Sequence, residues 1–328
     1  MTSADGSMKR ELIKILVFAA LIFAAPVFLG GGYIVNVLIF VGIYTILAVA
    51  LNLLLGLAGQ ISLGQAAFFG LGAYISGVLT ATHGLNPWVA MVIAVIAVGI
   101  AAFAIGFPIL KLKGHYLAMA TLGMGIIVYI IFNETVEVTG GPSGLSGIPN
   151  LSLFGFAFNT DMRNYYLVWS FTVITILLSV NLSASRMGRA LRAIHDSEVA
   201  ARILGVNVRL LKVQIFTISG ILSAVAGSLY AHTVQFVSPA SFGFNVSIEL
   251  LTMVIIGGLG SIYGSFLGAA ILTLLPELFR TLQDYDIIVY GIVLIVMTMF
   301  MPGGLVRGIP LLARYVLARL SPAPVKKA

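Results

Sequence analysis

The sequence contains no cysteine and very little charge. Of its 328 residues, 9% are charged and 60% are hydrophobic, and the mean hydropathy is +1.09. The absence of cysteine excludes disulfide frameworks, thiol catalysis and cysteine-ligated zinc or iron–sulfur sites. Soluble domains carry about 25% charged residues, so a chain this apolar cannot cover its own surface with polar groups. The composition also excludes intrinsic disorder and indicates a polytopic membrane protein.

Several catalytic and metal-binding motifs are also missing. No Gly-Lys dipeptide occurs anywhere in the chain, which excludes the phosphate-binding loop of P-loop NTPases, so this chain is not expected to hydrolyse ATP. The histidines are far apart in sequence and on different predicted sides of the membrane, so they have no metal-ligand spacing. These are His83, His115, His195 and His232. We therefore predict a protein that is not an enzyme, with no catalytic residue, metal or bound cofactor.

Ten apolar runs are long enough, or nearly so, to cross a bilayer as helices. A stretch such as 91–98 is apolar on every side, which is incompatible with the alternating strands of a β-barrel. The first run is long and no clear cleavage site follows it, so it is interpreted as an anchor rather than a signal peptide. We predict an all-α membrane protein with about ten transmembrane helices, some broken or re-entrant, in a single transmembrane domain over 1–328. The spans are 12–29, 33–57, 61–82, 87–108, 115–132, 165–183, 212–232, 246–259, 264–279 and 287–302.

The basic residues divide unequally between the two sides of these spans. With ten spans, sixteen of the eighteen lysines and arginines fall on one side, and Arg163 and Arg280 are the exceptions. The positive-inside rule makes the basic side cytoplasmic and places both termini there. Fusing 246–279 into one crossing would move the basic tail, 303–328, to the outside, so ten spans are favoured over nine. The net charge of +7 therefore reflects topology rather than nucleic-acid binding.

Charged residues are nearly absent from the predicted spans. Glu249 lies close to the start of the eighth span, and we expect it at the outer interface. Proton- or sodium-coupled carriers usually display acids at membrane depth. Their absence argues against a secondary transporter that works alone.

Small residues recur at every fourth position in two places. This spacing puts them on one helix face and lets two helix backbones approach closely. We predict that both stripes serve helix packing rather than substrate contact. They are Gly220, Ala224 and Ser228, and Gly260, Gly264 and Gly268.

Glycines and polar residues interrupt the apolar pattern over 56–74. Glycine lets the backbone leave the helix, and freed backbone groups are tolerated at membrane depth only inside protein or beside water. Such interrupted segments are the usual sequence indication of a transporter's pathway. We predict that Gln60, Ser62 and Gln65 line a translocation path, with Asn52 as a neighbour. Polar packing between helices is the alternative interpretation of the same residues.

The loop 184–211 is the long polar segment on the cytoplasmic side. Asp196 or Ser197 is a suitable N-cap, Glu198 complements the helix dipole and Gly205 is a suitable stop, which predicts a helix of about two turns over 197–206. So short a helix cannot bury its own apolar side chains, which favours docking on a partner. A basic loop near anionic lipids is the alternative.

The break and the loop together resemble the LivM-type permease subunits of ATP-binding-cassette importers for branched-chain amino acids. The resemblance rests on the segments 59–68, 188–194, 197–201 and 205–208, and on the Pro-Gly-Gly-Leu at 302–305. Importer permeases carry an E-A-A-x-x-x-G loop that docks on the ATPase. The resemblance implies that role for the matching segment here, where Glu198 is displaced by one position. The implied coupling residues are Ser197, Glu198, Ala200, Ala201, Arg202 and Gly205.

The resemblance further implies a heteromeric assembly in the cell (inner) membrane. Its other members are a LivH-like second permease, two ATP-binding subunits that hold the ATP, and a periplasmic amino-acid-binding protein. The implied function is import of leucine, isoleucine and valine, driven by ATP hydrolysis in the partner subunits. Import of urea or short amides is the alternative within the same class. A channel or carrier that works alone, and a non-transporting assembly subunit, are alternatives from other classes.

Overall fold

The computed structural model describes residues 2–29, 32–153, 156–278, 291–292, 295 and 304–306, and these residues are mostly helical. The last predicted span, 287–302, and the tail, 303–328, lie almost entirely outside the described residues. The α-helices in the described part are α1 (Thr2–Leu29), α2 (Gly32–Asn52), α3 (Gln65–Ala81), α4 (Pro87–Ile109), α5 (His115–Glu134), α6 (Val136–Thr139), α7 (Asp161–Ala184), α8 (Arg186–Asp196), α9 (Glu198–Ile203), α10 (Val208–Val234), α11 (Phe244–Gly257) and α12 (Ile262–Leu278).

Nine of the ten predicted spans coincide with apolar helices of the described chain. Six helical segments are long and apolar enough to cross a membrane, namely Gly32–Leu57, Pro87–Ile109, His115–Glu134, Asp161–Ala184, Val208–Val234 and Pro239–Gly257. Three shorter apolar helices are Ile13–Pro26, Gln65–Ala81 and Ile262–Glu277. The expectation of an all-α polytopic membrane protein is therefore confirmed.

Helix α10 forms the centre of the bundle and packs against α2, α3 and α4. The predicted small-residue stripe on α10 is buried at Gly220, Ala224 and Ser228. A Cβ atom on Gly72 of α3 would lie 2.8 Å from the carbonyl carbon of Ala224, so the two backbones are in direct contact. Small side chains are what allow such an approach, and the packing interpretation of this stripe is confirmed.

The chain reverses direction between α11 and α12. Gly258 and Gly260 have φ angles of +115° and +77°, which side chains other than glycine rarely adopt. Gly257 packs on the backbone of Gly264, and Met253 packs on Gly268, so the two helices run antiparallel. Residues 246–279 therefore do not form one continuous helix.

The second predicted stripe needs one correction. Gly264 and Gly268 lie on the α12 face that packs against α11, but Gly260 precedes the helix and belongs to the turn. A repeat of four residues cannot distinguish a helical glycine from a turn glycine next to it. Gly260 thus serves the chain reversal rather than helix packing.

Short strands and one buried histidine fix the loops at the opposite end of the bundle. Strand β1 (Leu145–Ser146) pairs antiparallel with β4 (Phe236–Val237), and β2 (Ser152–Leu153) pairs with β3 (Phe156–Ala157). The two ring nitrogens of His232 lie 2.9 Å from Ser76 Oγ and 2.7 Å from the Pro149 carbonyl oxygen. These contacts hold the long loop after α5 against α3 and α10.

Candidate functional site

The predicted glycine-opened break follows α2 directly. A π-helix, Leu53–Leu57, continues α2, and the chain then leaves the helical conformation until α3 begins at Gln65. Gly59 has a φ of +63°, and the amide of Gln60 donates to the Leu54 carbonyl at 3.1 Å. A π-helix is an uncommon element that occurs often at functional sites. The interruption that the glycine pattern predicts is confirmed.

Asn52 joins the start of this break to the turn between α11 and α12. Its Oδ1 accepts from the Gly260 amide at 2.8 Å. Its Nδ2 donates to the Ser261 carbonyl and to Ser265 Oγ, both at 2.8 Å. The side chain is 2% exposed, so its amide is buried and its hydrogen bonds are made within the chain. In this conformation Asn52 serves polar packing between helices rather than lining a path.

Gln65 is engaged in the same way at the end of the break. Its Nε2 donates to Ser219 Oγ at 2.9 Å and to the hydroxyl of Ser223. Ser219 Oγ in turn donates to the Ala50 carbonyl at 2.7 Å. Gln65 is fully buried, and these bonds connect α3 to α10 and α2. Its amide is part of the helix packing at the centre of the bundle.

The side chain of Gln60 lacks the hydrogen bonds that Asn52 and Gln65 make within the described chain. It is 3% exposed, and within the described part of the chain neither Nε2 nor Oε1 has a hydrogen-bond partner. A buried polar group without a partner costs about 1–3 kcal/mol. Among the described residues, the hydroxyl of Ser62, which is 2% exposed, has one long contact, from the Gly64 amide at 3.5 Å. Of the four predicted path residues, Gln60 and Ser62 therefore keep the most unused hydrogen-bonding capacity.

The loop 184–211 contains two helices, α8 and α9, where one is expected from the sequence. The expected helix over 197–206 is present as α9, which ends at Ile203 rather than at 206. The preceding α8 was missed, although Ser185 caps it by accepting from the Gly188 amide at 3.2 Å. Buried Leu191 and Ile194 stand three residues apart on its inner face. A serine cap followed by that apolar spacing was the available signal.

The predicted ends of α9 are confirmed. Ser197 is the N-cap, and its Oγ accepts from the Ala200 amide at 3.3 Å. At the other end, Gly205 has a φ of +81° and its amide donates to the Arg202 carbonyl at 3.0 Å. The Val206 amide donates to the Ala201 carbonyl at 3.0 Å. This pair of bonds is a Schellman motif, for which glycine is the preferred residue.

Helix α9 and its C-cap, Leu204, carry large apolar side chains that are exposed in the described part of the chain. Val199, Ile203 and Leu204 are 66%, 80% and 80% exposed. Ala201 is buried, whereas Ala200 and Arg202 are exposed. Val206, which follows Gly205, is half-buried and packs on the core. The remaining exposed face is small, apolar and located outside the apolar transmembrane helices.

Glu198 points away from that face, into the body of the protein. Its carboxylate forms ion pairs with Lys212 of α10 and, at 3.3 Å, with Lys113 of the loop before α5. Burial raises the pKa of this carboxyl, but the hydrogen bonds and charges of the two lysines outweigh burial and hold the pKa below its usual value. The residue is therefore ionised at neutral pH and engaged internally.

The loop 184–211 also contacts the break. A Cβ atom on Gly59 would lie 3.3 Å from the imidazole ring of His195, the penultimate residue of α8. Gly59 therefore provides both a positive φ and room for that ring. The two segments that were singled out separately in the sequence thus meet at one end of the bundle.

Comparison with known proteins places this arrangement in a family. Residues 33–298 match the family model described as the permease component of the branched-chain amino acid transport system. The permease protein LivM of Escherichia coli is 34% identical over 93% of this chain and 77% of its own length. The probable permease protein LivM of Methanocaldococcus jannaschii is 24% identical over 84% of this chain and 94% of its own length.

A third relative is BraD, a branched-chain amino acid transport permease of Pseudomonas aeruginosa, which is 27% identical over 80% of this chain and 91% of its own length. No solved structure matches the chain. The family model covers most of the sequence, including the break and the loop 184–211. The chain is thus a multi-pass membrane protein that belongs to the family of branched-chain amino acid transport system permeases.

Proposed function

We propose that this chain is the membrane-spanning permease subunit of an ATP-binding-cassette importer that carries leucine, isoleucine and valine. The observation that carries the proposal is α9, a capped cytoplasmic helix with exposed Val199, Ile203 and Leu204, in a chain of the permease family. An exposed apolar cluster of this kind is typical of a protein-binding surface. The relatives' names supply the substrate class.

In this proposal the chain supplies the membrane path and its partners supply energy and selectivity. The partners are a LivH-like permease, two ATP-binding subunits that hold the ATP, and a periplasmic binding protein. Relatives carry both LivM and LivH names, which supports a pair of permeases. The path runs past Gln60 and Ser62, whose free amide and hydroxyl groups hydrate a moving zwitterion without holding it tightly. A deep binding well would slow release.

The proposed topology has ten spans, with both termini on the cytoplasmic side of the inner membrane. Segments assigned to the cytoplasm contact one another, as in the ion pairs of Glu198 with Lys113 and Lys212. Segments assigned to the outside also contact one another, as in the pairing of Leu145 with Val237. Both sets of contacts support loops that alternate between the cytoplasmic and the outer side, as ten spans require. Residues 1–328 then form one permease domain, with a coupling loop at 184–211 and a basic tail at 303–328.

Reconstitution tests the function directly. The chain is purified with its second permease and two ATP-binding subunits, incorporated into proteoliposomes and supplied with the binding protein. We expect uptake of labelled leucine that requires both ATP and the binding protein, and competition by isoleucine and valine. Competition by urea instead would move the substrate to the short amides. Uptake by this chain alone without ATP would refute the importer assignment.

Gly205→Glu tests the role of α9. The variant forces a side chain into a φ of +81° and adds a charge next to the exposed Leu204. We expect normal membrane insertion and loss of substrate-stimulated ATPase activity. Gly84→Glu is the matched control, because Gly84 also has a positive φ and open space around it but lies between α3 and α4, at the end of α3 far from the break. Normal stimulation in Gly205→Glu would contradict the docking role.

A further inference from the structure

We propose that Glu198 is a positioning residue that ties the coupling helix α9 to α10, and that this tether transmits movement of α9 to the centre of the bundle. The inference rests on the proposed function, because it assumes that an ATPase moves α9. It assigns Glu198 a role different from the one implied by the family motif, in which the acid belongs to the docking segment. Here the acid faces the permease itself.

The ion pair between Glu198 and Lys212 is largely buried. The side chain of Lys212 is 7% exposed and that of Glu198 is 24% exposed. A lysine this deeply buried is stable as a cation only when an opposite charge is close. Lys113 adds a second cation at 3.3 Å from the same carboxylate, but its side chain is 65% exposed, so its contribution is screened by water. Lys212 is therefore the principal partner of Glu198.

The apolar side chains of α9 and the carboxylate of Glu198 point in different directions. Val199 and Ile203 are exposed on α9, whereas Glu198 bonds inward to the start of α10. A partner that binds the exposed face leaves the ion pair intact. The same short helix thus presents one face outward and holds the permease body with the other.

Helix α10 connects this ion pair to the glycine break. Lys212 lies on an uninterrupted 27-residue helix, and Ser219 is seven residues further along, about 10 Å up the axis at 1.5 Å per residue. Ser219 and Ser223 accept from Gln65, and Ser219 donates to the Ala50 carbonyl. A displacement of α9 that pulls on Lys212 therefore reaches both sides of the glycine break through one stiff helix.

The test separates coupling from assembly in the complete reconstituted complex. Leucine uptake and ATP hydrolysis are measured in parallel, and the coupling ratio is leucine transported per ATP hydrolysed. Glu198→Gln keeps the size of the side chain and removes its charge. We expect the complex to assemble and hydrolyse ATP, with a coupling ratio at least tenfold below the unmodified complex. Glu137→Gln, at an exposed acid of α6, is the matched control and keeps the ratio.

The exchange Glu198→Lys with Lys212→Glu restores an ion pair and is expected to recover a large part of the ratio. An unchanged ratio in Glu198→Gln overturns the proposal, and so does a charge exchange that assembles without recovery. If Glu198→Gln prevents assembly, Glu198→Gln with Lys212→Gln removes both charges, and a normal ratio in this variant overturns the proposal. Failure of the unmodified complex to import leucine contradicts the proposed function instead.

Discussion

Gly56, in the π-helix, is the position where adding one methyl group should disturb the fold most specifically. A Cβ atom there would lie 2.6 Å from Gly260 Cα, and closer still to the Gly260 amide nitrogen and to Asn52 Oδ1. Two of these three atoms belong to the backbone of a turn and cannot rotate away. The Gly56→Ala variant must therefore push the α11–α12 turn away from α2.

The size of the effect follows from the contacts at stake. Three hydrogen bonds of Asn52, to Gly260, Ser261 and Ser265, hold the turn in place. Weakening them costs about 0.5–1.5 kcal/mol each, and overpacking adds about 1–3 kcal/mol. We therefore expect Gly56→Ala to lower the stability by about 2.5–7.5 kcal/mol, a large part of the stability of a typical protein.

The assay is thermal denaturation of the purified complex in detergent, followed by the fraction that remains monodisperse. Gly123→Ala in α5 is the control, because a Cβ atom there meets nothing within 4 Å. Adding Asn52→Ala to Gly56→Ala should not rescue stability, since the Gly260 backbone still blocks the methyl group. A Gly56→Ala complex as heat-stable as the Gly123→Ala control would refute the reasoning.

Three further predictions concern the path, the topology and the tether. Gln60→Leu should reduce leucine uptake without loss of stability, because the Gln60 amide has no partner in the described chain. Gln65→Leu should instead destabilise the complex, because it removes hydrogen bonds to α10. Equal losses of stability in the two variants would reject the path assignment of Gln60. Since the chain has no cysteine, Asn150→Cys should react with an impermeant maleimide in intact cells and Ala193→Cys only after permeabilisation, and labelling of both in intact cells would reject the topology. Because the pKa of Glu198 is lowered, the charged tether stabilises the fold above the unfolded pKa of 4.5 and is lost as pH falls through the lower folded value. The stability difference between the unmodified complex and Glu198→Gln should therefore stay constant from pH 6 to 8 and shrink only in more acidic buffer, and a change near pH 7 would contradict this.

The spans and the break could be predicted because they depend on local sequence. Apolar runs of sufficient length give the helices, and the glycines at 56, 59 and 64 mark where the backbone departs from them. The capping of α9 by Ser197 and Gly205 is equally local, since each residue bonds to a backbone group within a few positions. These features need no knowledge of the tertiary fold.

The partners of the polar residues could not be predicted, because they come from distant parts of the chain. Asn52 and Gln65 were expected beside a path, yet the former bonds to the α11–α12 turn and the latter to α10. The resemblance implies a coupling role for Glu198, and the sequence gives no indication that its carboxylate pairs with Lys212 of α10. Whether an amide lines a path or fills a helix interface depends on what packs against it, and a single sequence does not contain that information.

The bonds of Asn52 have a consequence for how the protein is made. Its Oδ1 accepts from the amide of Gly260, 208 residues later in the chain. At a synthesis rate of about 5–20 residues per second, roughly 10–40 s pass between the insertion of α2 and the emergence of its partner from the ribosome. During this interval the amide of Asn52 lies in the membrane without the α11–α12 turn that later satisfies it. The first helices to insert are thus among the last to reach their final contacts, and a chain truncated before Gly260 leaves this polar group uncovered for the cell's membrane quality control to detect.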